Sequence, residues 1–188
     1  LVPEALGAPI AYIIRARVVL LRDLGASLSP ANAFQLIQGL ETLPLRFREH
    51  QANAAKVTSF LEDHDAVSRV IHPSLFEGAE KALADKYLTK GHGALVGIEL
   101  AGGIDVGRAF IDALKLIYHV ANIGDARSLA IHPASTTHSQ LSAADQLAAG
   151  VTPGYVRLSV GIEHSDDIIA DISQALNTAS AISFKTVA

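Results

Sequence analysis

Histidines and hydroxyl residues are concentrated in one stretch, GDARSLAIHPASTTHSQLS, which spans residues 124–142. Zinc sites need three or four N, S or O ligands, often as close pairs one helical turn apart. Five residues separate His132 from His138, no acidic residue lies between them, and the chain has no cysteine. A serine nucleophile needs a base and an orienting acid, and the strained G-x-S-x-G turn is absent. The stretch therefore predicts neither a metal site nor a nucleophile.

Lys90 stands in a second stretch that could bear chemistry, LTKGHGALVG. A Thr-Lys pair followed by glycines and a histidine superficially resembles a lysine that carries a cofactor, or a phosphate loop. In a P-loop, however, glycine precedes the lysine, whereas here Gly91 and Gly93 follow it. The simpler prediction is a flexible turn that leads into a strand over residues 94–100.

Arg157 is the single residue whose type and position most favour ligand binding. In YVRLSVG the apolar residues Val156, Leu158 and Val160 alternate with it, which predicts a strand with one apolar and one open face. A guanidinium on an open face can bind a carboxylate through two parallel hydrogen bonds. A solvated surface arginine is the alternative, and this segment alone leaves that alternative open.

The elements that must position these residues are short and alternate after Asp65. Strands are predicted at 67–71, 94–100, 117–121, 128–132 and 155–161, and helices near 77–88, 104–115, 142–149 and 165–180. This alternation predicts an α+β fold in which helices cover a sheet.

Longer helices are predicted before that alternating region. Residues 8–24, APIAYIIRARVVLLRDL, predict a helix that ends at Gly25, and its broad apolar surface predicts burial by more than one neighbour. Residues 29–30, Ser-Pro, predict the start of the next helix. Pro44 lacks a backbone donor and predicts a kink or a break in it. The change of texture near residues 63–66 predicts a domain boundary.

The composition argues against several classes of function. The 188 residues have a formal net charge of −4 and no block of Lys or Arg, which is unlike a nucleic-acid binder. Neither a membrane span nor a secretory signal is predicted. The chain has no methionine, so we expect it to be a piece of a longer protein. Hydrophobic residues make up 49% of it and aromatic residues only 5%, which predicts a large interface or a missing neighbouring segment.

Three segments carry a resemblance to a known family: LRDLGASLSPANAFQLIQGLETLPLRFREH, NIGDARSLAIHPASTTHSQLS and AAGVTPGYVRLSVGIEHSDDIIADISQAL. In order and spacing they resemble the Cys/Met metabolism family of pyridoxal-phosphate-dependent enzymes, and within it most the O-acetylhomoserine sulfhydrylases. The resemblance extends from Glu4 to about Ala179. Pro44 is a departure, since relatives usually have another residue there.

The resemblance implies the C-terminal part of a fold-type I pyridoxal-phosphate enzyme. Residues 1–64 would be the terminal helices of the large cofactor-binding domain with a long linking helix. Residues 65–188 would be the small C-terminal domain, a mainly antiparallel sheet covered by helices. The Schiff-base lysine would lie upstream of Leu1, and none of the six lysines present matches it. We therefore expect the chain alone to be inactive, with no cofactor-binding, catalytic or metal-binding residue of its own.

The implied activity of the whole enzyme is a γ-replacement in methionine biosynthesis, which makes homocysteine from O-acetyl-L-homoserine and sulfide. Arg157 would bind the α-carboxylate of the amino-acid substrate, and the backbone N–H of Asn122 would give it a second contact. Residues 124–142 would form a wall on the substrate side, whose histidines and hydroxyls fix the loop and partly line the pocket. The resemblance also implies a cytoplasmic homotetramer and a partner in the missing N-terminal segment.

Other assignments stay open at this point. The chain could be part of a cystathionine γ-synthase, a γ-lyase or an O-succinylhomoserine sulfhydrylase, or a stand-alone domain without catalysis. Asn122 favours the sulfhydrylases, because cystathionine synthases and lyases typically have serine there, and Ala121 argues against the γ-lyases, which often have an acid. The acyl preference does not follow from these residues.

Overall fold

The computed structural model describes residues 10–183. The chain divides into two compact units between Leu43 and Pro44. This division lies inside the segment that we assigned to the first domain. The predicted boundary between residues 64 and 65 stays a prediction.

The described part of the first unit consists of two helices. Helix α1 begins with Ala11–Arg15, continues as a π-helix over Ala16–Leu21 and ends with Arg22–Leu24. Gly25 follows at φ 66°, the left-handed conformation that glycine adopts most readily, so the predicted stop is confirmed. No residue of α1 is buried within the described chain, and the expectation that neighbours enclose its apolar surface stays a prediction.

Helix α2, Pro30–Glu41, begins as its sequence predicts. The Ser29 hydroxyl accepts a hydrogen bond from the backbone N–H of Asn32 at 3.2 Å, and Pro30 occupies the first turn, where no donor is needed. The next helix, α3, runs over Leu43–Glu62. The helical segment is thus broken beside Pro44, which confirms that prediction.

Helix α3 buries one stripe of side chains at helical spacing. Its buried residues are His50, Asn53, Ala54, Val57, Thr58 and Leu61. Three of them, Ala54, Val57 and Leu61, belong to the hydrophobic core that contains the sheet. This half of α3 therefore packs with the sheet that follows it in the chain.

Five strands form one mixed sheet, which confirms the α+β class. In chain order the elements are β1 Val67–Ile71, α4 Gly78–Tyr87, β2 Leu95–Leu100, α5 Gly103–Ala113, β3 Tyr118–His119, β4 Leu129–Ile131, α6 Ala143–Ala148, β5 Tyr155–Ser159 and α7 Ser165–Ser183. The strand order is β1-β2-β5-β4-β3. Neighbouring strands are antiparallel except β3 and β4, which are parallel.

The two faces of this sheet have different roles. One face packs on α3, α5 and α7, and contributes Val96, Ile98, Leu100, Val156, Leu158 and Val160 to the core. The other face carries Gly97 on β2, Arg157 on β5 and Ile131 on β4, which are paired in register. The predicted open face of the Arg157 strand is therefore present at the centre of the sheet.

Among the helices within residues 10–183, none combines the length and the apolar character that a bilayer crossing requires.

Candidate functional site

A cavity of about 460 Å³ opens beside the outer face of β5. Its lining comes from the first half of β5, from the end of β4 with the turn after it, from the segment after β3 and from the segment that follows α6. The lining residues are Ala121, Ile131, Pro133, Thr137, His138, Ala149, Gly150, Val151, Tyr155 and Arg157. Arg157 thus lines a cavity, which favours a binding role over the alternative of a solvated surface arginine.

The guanidinium of Arg157 is held in place but not neutralised. One Nη donates a hydrogen bond to the backbone carbonyl of Ala121 at 2.6 Å. The Nε atom is buried and has no hydrogen-bond partner in the structure. No acidic residue lines the cavity, and within residues 10–183 no ion pair involves Arg157. A buried, unsatisfied cationic donor is costly, and an incoming carboxylate would satisfy it.

The loop that contains Asn122 is pinned to β5 at both ends. Arg157 binds the carbonyl of Ala121, and the hydroxyl of Ser159 accepts a hydrogen bond from the backbone N–H of Gly124 at 3.0 Å. Between these two contacts Asn122 is exposed, and its backbone N–H makes no hydrogen bond to any described residue. The structure thus brings Arg157 and the Asn122 loop together, while their contact with a substrate stays a prediction.

Tyr155 is a wall of the same cavity that the sequence analysis did not single out. A Cβ atom at Gly97 would come within 2.8 Å of its ring, so glycine there leaves room for the phenol. Burial raises the pKa of Tyr155. The positive charge of Arg157 lowers that pKa, and the negative charge of Glu99 raises it further. The phenol is therefore a neutral donor at physiological pH. Its spacing of two residues from Arg157 was the signal that could have identified it.

His132 fixes the loop and is not free to bind a ligand. It is 1% exposed, its Nε2 donates to the carbonyl of Pro153 at 2.8 Å, and its Nδ1 pairs with the Ser135 hydroxyl at 2.7 Å. Burial lowers the pKa of His132, although the hydrogen bond to Pro153 opposes this shift. The Thr136 hydroxyl donates to the carbonyl of His132 at 2.8 Å. The predicted loop-fixing role is confirmed for these residues.

His138 and Thr137 instead line the cavity, as predicted for part of the stretch. The Thr137 hydroxyl and Nδ1 of His138 are 3.0 Å apart. The turn is rigid here, because the His138 N–H donates to the carbonyl of Pro133 at 3.0 Å and the Gln146 amide donates to the carbonyl of His138 at 2.8 Å. Across the described residues, no three His, Asp or Glu side chains are grouped as metal ligands.

Two carboxylates, partly buried Glu163 and buried Asp171, fix backbone near the strands of the site, and the sequence analysis missed both. Glu163 accepts hydrogen bonds from the backbone N–H of Ser128 at 2.7 Å and from its hydroxyl at 2.9 Å, which fixes the start of β4. Asp171 accepts the N–H groups of Leu116 and Ile117 at 2.9 and 3.0 Å, which fixes the approach to β3. These pairs are 35, 55 and 54 residues apart, so no local pattern could indicate them.

The cavity residues fit a carboxylate and do not by themselves fit pyridoxal phosphate. That cofactor forms a Schiff base with a lysine amine and commonly pairs its pyridine nitrogen with an acid, and the lining has neither. Lys90 lies in a turn that leads into β2, as predicted, and lines a different cleft.

Comparison with known proteins gives a consistent result. The family model described as Cys/Met metabolism PLP-dependent enzyme matches residues 10–177. The O-acetyl-L-homoserine sulfhydrylase of Leptospira meyeri is 54% identical, with 90% of this chain and 39% of that protein covered. That of Corynebacterium glutamicum is 50% identical, covering 89% of this chain and 38% of that protein. The chain thus spans about 40% of the length of these curated relatives.

Two solved structures are also similar. A putative O-acetylhomoserine (thiol)-lyase from Campylobacter jejuni, which carries a pyridoxyl-lysine monophosphate, has a TM-score of 0.79 and 45% identity, covering 87% of this chain and 39% of its own. A cystathionine gamma-lyase from Lactobacillus plantarum complexed with L-serine has a TM-score of 0.75 and 31% identity, covering 84% and 41%.

Proposed function

Because the chain belongs to the Cys/Met metabolism PLP-dependent enzyme family, we propose that it is the carboxylate-binding part of an O-acetylhomoserine sulfhydrylase. The whole enzyme would form homocysteine from O-acetyl-L-homoserine and sulfide. The observation that carries this proposal is Arg157, whose buried Nε has no partner in a cavity without acids. The names of relatives at about half identity support the choice of substrate class.

Arg157 has the role of holding the α-carboxylate of the amino-acid substrate. Its unpartnered Nε–H and an Nη hydrogen that the carbonyl of Ala121 leaves free present donors that can match the two oxygens of a carboxylate. The free N–H of Asn122 adds a third donor on the pinned loop. Fixing the carboxylate fixes which bond at Cα can be broken, so these contacts contribute to the reaction as well as to affinity.

The cofactor chemistry comes from outside these residues. When bound, pyridoxal phosphate withdraws electrons from the reacting carbons of the amino acid. In this proposal the Schiff-base lysine lies in the remainder of the enzyme, and this chain alone does not turn over substrate. Residues 1–64 would end the large domain of a fold-type I enzyme, residues 65–188 would be its small domain, and the enzyme would be a homotetramer.

The test is an assay of homocysteine formation by the full-length product of the gene and by the 188-residue chain alone. We expect activity from the former only. In the full-length protein, Arg157→Ala should lower kcat/KM on the order of a hundredfold or more, since two charged hydrogen bonds are each worth about 1.5–3 kcal/mol. Arg157→Lys keeps the positive charge but cannot form the two parallel hydrogen bonds of a guanidinium. It should therefore lower kcat/KM by less than Arg157→Ala does, without restoring the original value.

Arg69 provides a matched control for that test. It is exposed on β1 and does not line the cavity, so Arg69→Ala should leave kcat/KM unchanged. Turnover by the isolated chain, or equal losses in the two arginine variants, would contradict the proposal.

A second candidate is a cystathionine γ-lyase or γ-synthase, which the likeness to the Lactobacillus plantarum enzyme favours. A panel of substrates separates the candidates: sulfide with O-acetylhomoserine, sulfide with O-succinylhomoserine, cysteine with either ester, and cystathionine alone. We expect the fastest turnover with sulfide and the acetyl ester. If the full-length protein is inactive on the whole panel, a non-catalytic binding domain becomes the better assignment.

A further inference from the structure

The turn that carries Lys90 lines a second cleft, of about 390 Å³, that the proposed activity does not use. Its walls come from α3, from the segment after β1 and from the turn before β2. Four basic or imidazole side chains line it: Arg48, His72, Lys90 and His92. No acidic residue lines it, although the chain as a whole has a net negative charge.

One side of helix α3 lines this cleft. Arg48, Gln51, Ala52 and Ala55 are spaced three and four residues apart and therefore share a side of the helix. The two alanines leave space for a ligand beside the arginine. Arg48 forms no ion pair with any described residue, so its charge faces the cleft uncompensated.

Two glycines shape the turn, and one of its backbone donors is left without a partner among the described residues. Gly91 and Gly93 have φ of 125° and 83°, conformations that other residues rarely adopt. A side chain at position 91 would collide with the Gln51 amide, whose oxygen also accepts the N–H of Gly93 at 3.5 Å. Between the two glycines, the backbone N–H of His92 makes no hydrogen bond to a described residue, and Lys90 forms no ion pair there.

His72 adds a buried donor to the wall. It is 3% exposed, and its Nδ1 accepts from the backbone N–H of Ser74 at 3.4 Å, so the proton of the neutral ring is on Nε2. Nε2 has no hydrogen-bond partner of good geometry in the structure. Burial lowers the pKa of His72, the backbone of Gly93 opposes this, and His92 adds to it. His72 is thus a polar wall of the cleft, and the positive charge that an anion site requires comes from Arg48 and Lys90.

We propose that this cleft is a binding site for a phosphate-type dianion, held by Arg48, Lys90 and the backbone N–H of His92 between Gly91 and Gly93. Its volume falls in the range of small-molecule sites, so a small phosphomonoester fits as well as the free ion. The proposal is independent of Arg157 and of the proposed activity.

The test is a titration of the 188-residue chain with inorganic phosphate at constant ionic strength, followed by the NMR shifts of the amides in residues 90–93. We expect saturable shifts confined to this turn and to α3 near Arg48. Lys90→Gln and Arg48→Gln should each weaken binding about tenfold, because each removes one charged hydrogen bond. The side chains of Lys90 and Arg48 are both exposed, and an unchanged Tm checks that the two variants fold.

Lys86→Gln is the matched control, because it removes the same charge from α4, outside the cleft. It should bind phosphate as tightly as the unsubstituted chain, and so should Arg157→Ala. A titration with glycerol 3-phosphate shows which form of phosphate the cleft binds. Tighter binding than that of inorganic phosphate indicates an organic phosphate as the ligand, and equal binding indicates the free ion. Shifts that do not saturate, an equal loss in Lys86→Gln, or equal binding of succinate would overturn the proposal.

Discussion

The two faces of strand β5 differ in what their side chains contact. Val156, Leu158 and Val160 are 0–2% exposed and pack between the sheet and its helices. The outer residues, Arg157 and Ser159, are held by single hydrogen bonds to a loop. The inner face stabilises the folded chain by burying apolar area, whereas the outer face positions hydrogen-bond donors for a ligand. A single strand therefore separates the residues on which folding depends from those on which binding depends.

The largest expected effect is on the inner face. Leu158→Ala should lower the free energy of unfolding by about 2–5 kcal/mol, because it leaves a cavity in a close-packed core. Arg157→Ala should lower it by only about 1 kcal/mol, since one hydrogen bond is removed. Urea unfolding of the 188-residue chain measures both values. Equal destabilisation by the two substitutions would show that the faces do not divide the roles in this way.

Acid should destabilise the fold through its buried histidines. The pKa of His132 is lowered in the folded chain, chiefly by burial, so the unfolded chain binds more protons as the pH falls. Stability should therefore be full above about pH 6.5 and should decline below it. His72 contributes in the same direction. Urea midpoints across this range should fall less steeply in His132→Gln, and a parallel decline in that variant would exclude His132 as a cause.

A smaller effect is expected where the loop is pinned. Ser159→Ala removes the acceptor of the Gly124 N–H and should lower the free energy of unfolding by about 1 kcal/mol. Amide hydrogen exchange should become faster at Gly124 and Asn122, and should stay unchanged in the core strands. Unchanged exchange at Gly124 would show that the serine does not hold the loop.

The smallest effect on stability is expected from Tyr155→Phe. No hydrogen bond of its hydroxyl is present among the described residues, so the free energy of unfolding should change by less than about 0.5 kcal/mol. In the full-length enzyme, KM should rise if the phenol is a further donor to the substrate. An unchanged KM would mean that the ring only fills the space above Gly97.

Much of the fold follows from local patterns. The five predicted strands and the helices between them are present within a few residues, because the apolar spacing and the turn residues of each segment act over short distances. The helix stop at Gly25 and the break beside Pro44 follow from backbone conformation in the same way. The burial expected of α1 does not follow, because burial depends on which neighbours are present.

The candidate site was predictable only in part. The alternation of apolar residues along β5 indicated the open face that carries Arg157, and the resemblance to the enzyme family indicated Asn122. Nothing local indicated that Glu163 would hold Ser128, or that Asp171 would hold the approach to β3, because these partners are distant in sequence. The cleft around Lys90 was also missed, since Arg48 reaches it from a helix that precedes β1.

The sequence by itself determined the α+β class, the identity of the strands and the side of β5 on which Arg157 lies, because residue spacing alone sets these properties. Only the tertiary structure decided that Arg157 would lack an anionic partner, that a pinned loop would stand beside it, and that four basic or imidazole side chains would share a second cleft. Those properties depend on which distant segments meet, and the free energy of packing, summed over the whole core, selects that arrangement.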